Sequence, residues 1–156
     1  MKQQRHGFAL IEYIFALSII IISATMATAA LQSFLYTHQA SSTMLQLQQS
    51  ISLARSIAIA QNCHVTISYF GTNNSLTIKI NNHEIKQIKL NIGKTDSLTL
   101  HQSGFDNTVI TVTQDGMTYS NGHFNYKSQK SNSLPHFNLY FNKALRTYVL
   151  RSSNNG

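Results

Sequence analysis

The sequence predicts an α+β protein: one long amino-terminal helix, transmembrane and then amphipathic, followed by an antiparallel β-sandwich head. Three observations predict it. Between Glu12 and Arg55 there is no Asp, Glu, Lys or Arg. Leu47, Ile51, Ala54 and Ala58 then recur at the spacing of a helix face. From Cys63 onward apolar and polar residues alternate, and a period of two belongs to strands.

Residues 13–31 are interrupted only by Ser18, Ser23, Thr25 and Thr28. About 20 such residues cross the ~30 Å hydrocarbon core of a bilayer as a helix. The membrane segment is therefore expected over about residues 8–31. A cleaved secretory signal is the competing reading, with Lys2 and Arg5 as its basic region and Ala27-Thr28-Ala29 as a small-x-small cut site. Its apolar core would be longer than the usual run of about 7–15 residues. Glu12 would also fall where that core should be uncharged. An ionised carboxylate at the centre of a membrane helix costs roughly 2.5–3.5 kcal/mol, and somewhat less near an end. Glu12 so placed calls for a partner charge.

Beyond Leu31 the helical pattern persists. Leu47, Ile51, Ala54 and Ala58 share a face with Ile57 close by, while Gln48, Gln49, Ser52 and Arg55 occupy other faces. The helix is expected to end near Gln61-Asn62, with its apolar stripe packed on a sheet.

In the head, Val65, Ile67 and Tyr69 alternate with His64, Thr66 and Ser68, and residues 71–74 read as a turn. Leu76, Ile78 and Ile80 alternate with Thr77 and Lys79, then Asn81-Asn82 punctuates. Further strands are predicted at 84–90, 97–101, 109–113, 123–127, 137–141 and 146–150. Asp115-Gly116 and Asn121-Gly122 are turn signals. Many short strands so punctuated predict an antiparallel sandwich over residues 63–150. Residues 127–135 read as an exposed loop, and 151–156 as a frayed tail.

At 156 residues the chain has room for one helix and one modest domain. Its formal charge is +7 although only 11% of residues are charged, so the excess reflects scarce acids. A mildly basic head favours anionic partners. Cys63 is the sole cysteine and cannot form an intramolecular disulfide. It reads as a small buried apolar residue, with a reactive or intermolecularly paired thiol as the alternative. His38, His64, His83, His101, His123 and His136 show no i, i+4 pair and no zinc-site spacing. Asp96, Asp106 and Asp115 lie in or beside turn-like segments, where Asp commonly bonds local backbone. No nucleophile elbow or phosphate-binding glycine loop occurs. The expectation is a chain without catalysis, metal, cofactor or small-molecule substrate.

Gly7-Phe8-Ala9-Leu10-Ile11-Glu12, after a short basic leader, resembles the prepilin peptidase site of type IV pilins and type II secretion pseudopilins. The resemblance implies a pilin-like fold and a leader over residues 1–7. It implies cleavage by prepilin peptidase between Gly7 and Phe8, N-methylation of Phe8, and Glu12 as the assembly glutamate. Residues 8–62 would be the helix that holds the chain in the inner membrane as a single pass. The leader would face the cytoplasm, as the positive-inside rule requires, and the head the periplasm. The implied partners are other pilins or pseudopilins. Many relatives carry a helix-kinking proline where this chain has Ala29, so a straighter helix is expected here.

Residues 53–62, Leu-Ala-Arg-Ser-Ile-Ala-Ile-Ala-Gln-Asn, are similar to the helix end of FimT- and GspH-type minor pilins. Asp115-Gly116 and Asn121-Gly122-His123-Phe124 resemble that group's glycine-punctuated hairpin. The resemblance implies a minor pilin or pseudopilin of an initiating or tip complex. Some members bind DNA through a Gly-Arg-x-Arg motif near the carboxy terminus. Here Arg146 matches the first arginine, but Leu145 stands at the glycine and Tyr148 at the second arginine. Lys143, Arg151, Lys127 and Lys130 are the remaining candidate DNA contacts, through sequence-independent phosphate pairing, and Tyr148 could stack a base. The same cations also read as scattered solvated charges at strand ends.

Overall fold

The computed structural model of the chain describes residues 5–94, 96–103, 108–129 and 134–152, with backbone alone at 5–9 and 29. Lys2, Asp106, Lys130 and the tail from 153 onward lie outside the described residues. Helix α1 spans Arg5–Gln61. Two compact units divide the chain, residues 1–36 and 37–156.

The first unit is helical wherever it is described. Its Leu10, Ile14, Phe15, Ile19, Ile20, Ile21, Ile22 and Met26 are all exposed. Long enough and apolar enough to cross a membrane, this helix reaches a mean hydropathy of 2.3 over its richest stretch. The polar interruptions are satisfied within the helix itself. Ser18 donates to the Ile14 carbonyl at 2.7 Å and Ser23 to that of Ile19 at 2.8 Å. Thr25 donates to the Ile22 carbonyl and Thr28 to that of Thr25, each at 2.8 Å. Such back-bonding hides hydroxyls that hydrocarbon could not solvate.

The second unit holds the rest of α1 and eight strands. Ala40, Met44, Leu47, Ile51, Ala54 and Ala58 form the buried helix stripe, and Ile57 is half-buried beside it. The helix ends where Asn62 takes φ 49°. Cys63 N–H then bonds the Ala58 carbonyl at 3.1 Å and Asn62 N–H that of Ile59 at 3.4 Å. This paired closure is a Schellman cap, and asparagine tolerates its left-handed residue better than most. Cys63, half-buried and a free thiol, follows the cap.

Strands β1 (Val65–Phe70), β2 (Ser75–Ile80), β3 (His83–Lys89), β4 (Asp96–Gln102), β5 (Val109–Val112), β6 (Gly122–Ser128), β7 (His136–Phe141) and β8 (Thr147–Ser152) make two antiparallel sheets. Sheet I runs β3-β2-β1-β5 and sheet II β4-β6-β7-β8. Asn81 and Asn82, with φ 47° and 69°, make the two-residue turn between β2 and β3.

Register sorts the side chains by face. Val65, Ile67 and Tyr69 pair with Ile80, Ile78 and Leu76, and Ile67 also with Ile110, so one face of sheet I is continuously apolar. From that face the Tyr69 hydroxyl donates to the Leu98 carbonyl of β4 at 3.1 Å. Its ring meets Phe124 of β6 edge-on, with centroids 6.3 Å apart. The inner row of sheet II supplies Leu98, Leu100, Phe124, Tyr126, Leu139 and Phe141, all buried. On the helix side, the Thr43 hydroxyl contacts the Asn91 carbonyl at 3.0 Å, and Leu53 borders a shallow groove with Ile88 of β3. Thr43 and Leu53 thus set α1 against the end of β3, while the stripe itself is buried within the second unit.

Two local expectations change. Asn121-Gly122 is not a hairpin turn; Gly122 opens β6. A Cβ there would lie 2.6 Å from the His101 carbonyl oxygen, so the glycine permits close strand approach. Strand β8 also runs into the expected tail, because Arg151 pairs with Phe137 and Ser152 with His136.

Candidate functional site

Three sets of residues compete for function: the start of α1, the cations of the last hairpin, and a row of rings on sheet II. Gly7 and Phe8 lie within α1, in its first turns. Glu12 is exposed between exposed Ile11 and Tyr13, one turn before Phe15. Among the described residues it has no cationic partner. This carboxylate sits in a surface that otherwise belongs in hydrocarbon. A carboxylate in such a setting calls for a cationic partner.

The candidate cations of the head do not form one patch. Lys143 lies in the turn between β7 and β8, and Arg146 at its exit. Arg146 N–H bonds the Asn142 side-chain oxygen at 3.0 Å, and Lys143 N–H that of Asn121 at 2.9 Å. Leu145, where the resembling motif has glycine, takes φ 53° and is buried. The backbone keeps the left-handed conformation although the glycine is gone, and burial of the leucine offsets a cost of about 1–2 kcal/mol. Lys127 points with the outer row of β6, opposite Ser97. Arg151 instead shares the inner row with Phe137, its guanidinium 5.9 Å from that ring centroid. Tyr148 is an outer-row residue. The hairpin thus groups Lys143 and Arg146, and sets Arg151 on the other side of the sheet from Lys127 and Tyr148.

Register builds a feature that one-dimensional spacing hides. His101 of β4 is directly opposite His123 of β6, His123 opposite Tyr140 of β7, and Tyr140 opposite Tyr148 of β8. The four rings stack across the whole outer face of sheet II, with centroids 5.0, 5.1 and 5.2 Å apart. Burial, and then the neighbouring His101, lowers the His123 pKa below its ordinary value, because two imidazoles side by side resist double protonation. The Thr99 hydroxyl lies 3.2 Å from His101 Nε2. These rings, with Asn121 and Asn142, border an open cleft of about 420 Å³. Amides, imidazoles, phenols, the Ser103 hydroxyl and the Phe141 ring line it, with no carboxylate or thiol among the described residues. Nor do the described residues bring three metal-ligating side chains together. The arrangement offers stacking surfaces and hydrogen bonds.

Comparison with known proteins agrees with the architecture. Residues 43–154 match the family model of the type II transport protein GspH. The type IV minor pilin FimU of Pseudomonas aeruginosa superposes with a TM-score of 0.61 at 16% identity, over 75% of this chain and 92% of that one. The minor pseudopilin EpsH from the type II secretion system of Vibrio cholerae gives 0.57 at 11% identity, over 72% and 97%. At these identities the two structures speak for the fold alone. No protein of curated function matches the chain in sequence. The family match spans well over half of the chain, and an apolar helix followed by two antiparallel sheets is the pilin-like architecture. The chain belongs to the GspH family of minor pilins and pseudopilins.

Proposed function

We propose that the chain is a subunit processed between Gly7 and Phe8 and built, through its amino-terminal helix, into a type IV pilus or a type II secretion pseudopilus. Its place is the initiating or tip complex. Prepilin peptidase removes Lys2 and Arg5 with the leader and exposes an amine at Phe8, which is then N-methylated. The helix holds the subunit in the inner membrane with the head in the periplasm until assembly. Its work is assembly, with no catalytic step.

The observation that carries this reading is Glu12, a lone exposed carboxylate on a helix that suits hydrocarbon. Paired with the Phe8 amine of a neighbouring subunit, it removes two charges from the bilayer in one contact. In low dielectric such a pair is far stronger than in water. Glu12→Ala should cut the fraction of chain recovered in fibres at least tenfold, while the melting temperature of the head stays unchanged. Recovery of the Glu12→Ala chain at the wild-type level would refute the pairing.

A DNA-binding minor pilin is the second reading. What favours it is the turn at 142–146, whose left-handed Leu145 preserves the shape that glycine would take and presents Arg146 beside Lys143. Against it stands the separation of Arg151 from Lys127 across the sheet. Salt-sensitive binding of duplex DNA, reduced severalfold by joint Lys143→Glu and Arg146→Glu substitution, would support it. Binding indifferent to that change would remove the site.

A further inference from the structure

Two four-stranded sheets have four edges, and three of them are guarded. An unguarded edge is a template for pairing, so proteins blunt edges with short strands, lysines, bulges or cover. Edge strand β3 carries Lys86 and Lys89, and its ladder with β2 shifts register at Ile78/Lys79. Edge strand β5 has only four residues. Edge strand β4 is engaged from sheet I, whose Tyr69 hydroxyl donates to the Leu98 carbonyl.

Edge strand β8 differs. It is six residues long, Thr-Tyr-Val-Leu-Arg-Ser, with neither lysine nor proline, and its register with β7 is unbroken. Tyr148, Val149 and Leu150 are 55%, 41% and 52% exposed. No described strand pairs its outer side.

A second observation points to the same edge. The stack from His101 to Tyr148 stops at β8 only because the sheet stops there. A strand added to β8 would place one side chain directly opposite Tyr148, at the cross-strand distance of about 5 Å. A planar ring at that point continues the stack.

We propose that β8 is the strand-addition site for an extended segment of another pilin or pseudopilin subunit, which carries a planar ring in register with Tyr148 and a carboxylate facing Arg151. Backbone hydrogen bonds supply affinity, and the ring and carboxylate supply specificity. The acid follows from charge: 12 Lys and Arg stand against 5 Asp and Glu in this chain, and Arg151 is the charged residue of the edge. The inference rests on the subunit reading above and adds the contact through which the head recognises its neighbour.

Amide hydrogen exchange of the full chain, free in detergent and incorporated in fibres with its sibling subunits, tests it. Amides of β8 should exchange at least tenfold more slowly in the fibre, while those of β3 exchange alike in both states. Leu150→Lys and Tyr148→Ala, both on the exposed outer row, should each reduce that protection severalfold, and Leu150→Lys should do so without shifting the head's melting temperature. Unprotected β8 amides in a chain that enters fibres overturn this proposal alone. So does full protection retained in both variants, or protection in the free chain that rises with its concentration, since that means a second copy. A chain that never sediments with fibres removes the subunit reading and this proposal with it.

Discussion

Ile20 and Ile51 lie on the same helix, yet Ile20 is 62% exposed and Ile51 fully buried. The contrast extends to the two units. The first shows solvent a run of Ile, Leu and Phe that water would not tolerate as an isolated surface. The second closes its own core from α1 and two sheets. One unit leaves its apolar surface open, the other closes its own by folding. On the proposed reading, a change at Glu12 alters assembly without touching the head, and the head can be unfolded without touching Glu12.

The sharpest way to break this division is to truncate one apolar residue in each unit. Phe124→Ala should cost the head about 3–5 kcal/mol, since Phe124 is fully buried between the sheets. Ile20→Ala should leave thermal unfolding of the head where it was. A matching loss from both would mean that the span belongs to the head's core.

Gly116→Ala probes the join between α1 and the sheets within the second unit. Gly116 has φ 71°, and an added Cβ would come 2.7 Å from Ile59 Cδ1. The Ile59 side chain is exposed and can turn away, so the backbone cost dominates, at about 1–2 kcal/mol. Chemical denaturation would read it, and an unchanged midpoint would contradict the left-handed turn.

Tyr69→Phe keeps the ring against Phe124 and removes the bond to Leu98. A loss of about 1 kcal/mol is expected. Burial raises the Tyr69 pKa, which fits a hydroxyl that stays protonated while it donates.

The smallest effect is at His123. Its folded pKa lies below the ordinary 6.5, so the unfolded chain binds the proton more readily. The stability it contributes is complete above pH about 6.5 and is lost as pH falls through the depressed folded value. An imidazole titration by NMR should find His123 below that ordinary value and rising in His101→Ala. A normal value in the parent chain would show the two rings to be independent.

Much of the fold was legible because it is written locally. The uncharged span, the stripe from Leu47 to Ala58 and the alternation after Cys63 each need only their own neighbours. Asn81-Asn82 names its turn for the same reason. Asn121-Gly122 misleads, since a glycine reads alike whether it turns the chain or admits a close strand. The end of β8 is set by Phe137 and His136, which a local pattern does not see. The ring row needs four strands in register, and His101 stands 22 positions from its partner His123. Strand alternation at 123–127, 137–141 and 146–150 could have placed these rings on one face, although only pairing makes them adjacent. The cations show the converse: Lys127 and Arg151 belong to one candidate set by charge and to opposite faces by register.

The central claim is that the helix is an assembly device released at Gly7/Phe8. Its most direct test is the amino terminus of the full chain, expressed with and without prepilin peptidase and read by intact mass and peptide mapping. A peptidase-dependent start at N-methylated Phe8 is expected. A start near Ala30, or a chain that keeps Met1 to Gly7 in the presence of active peptidase, would contradict it.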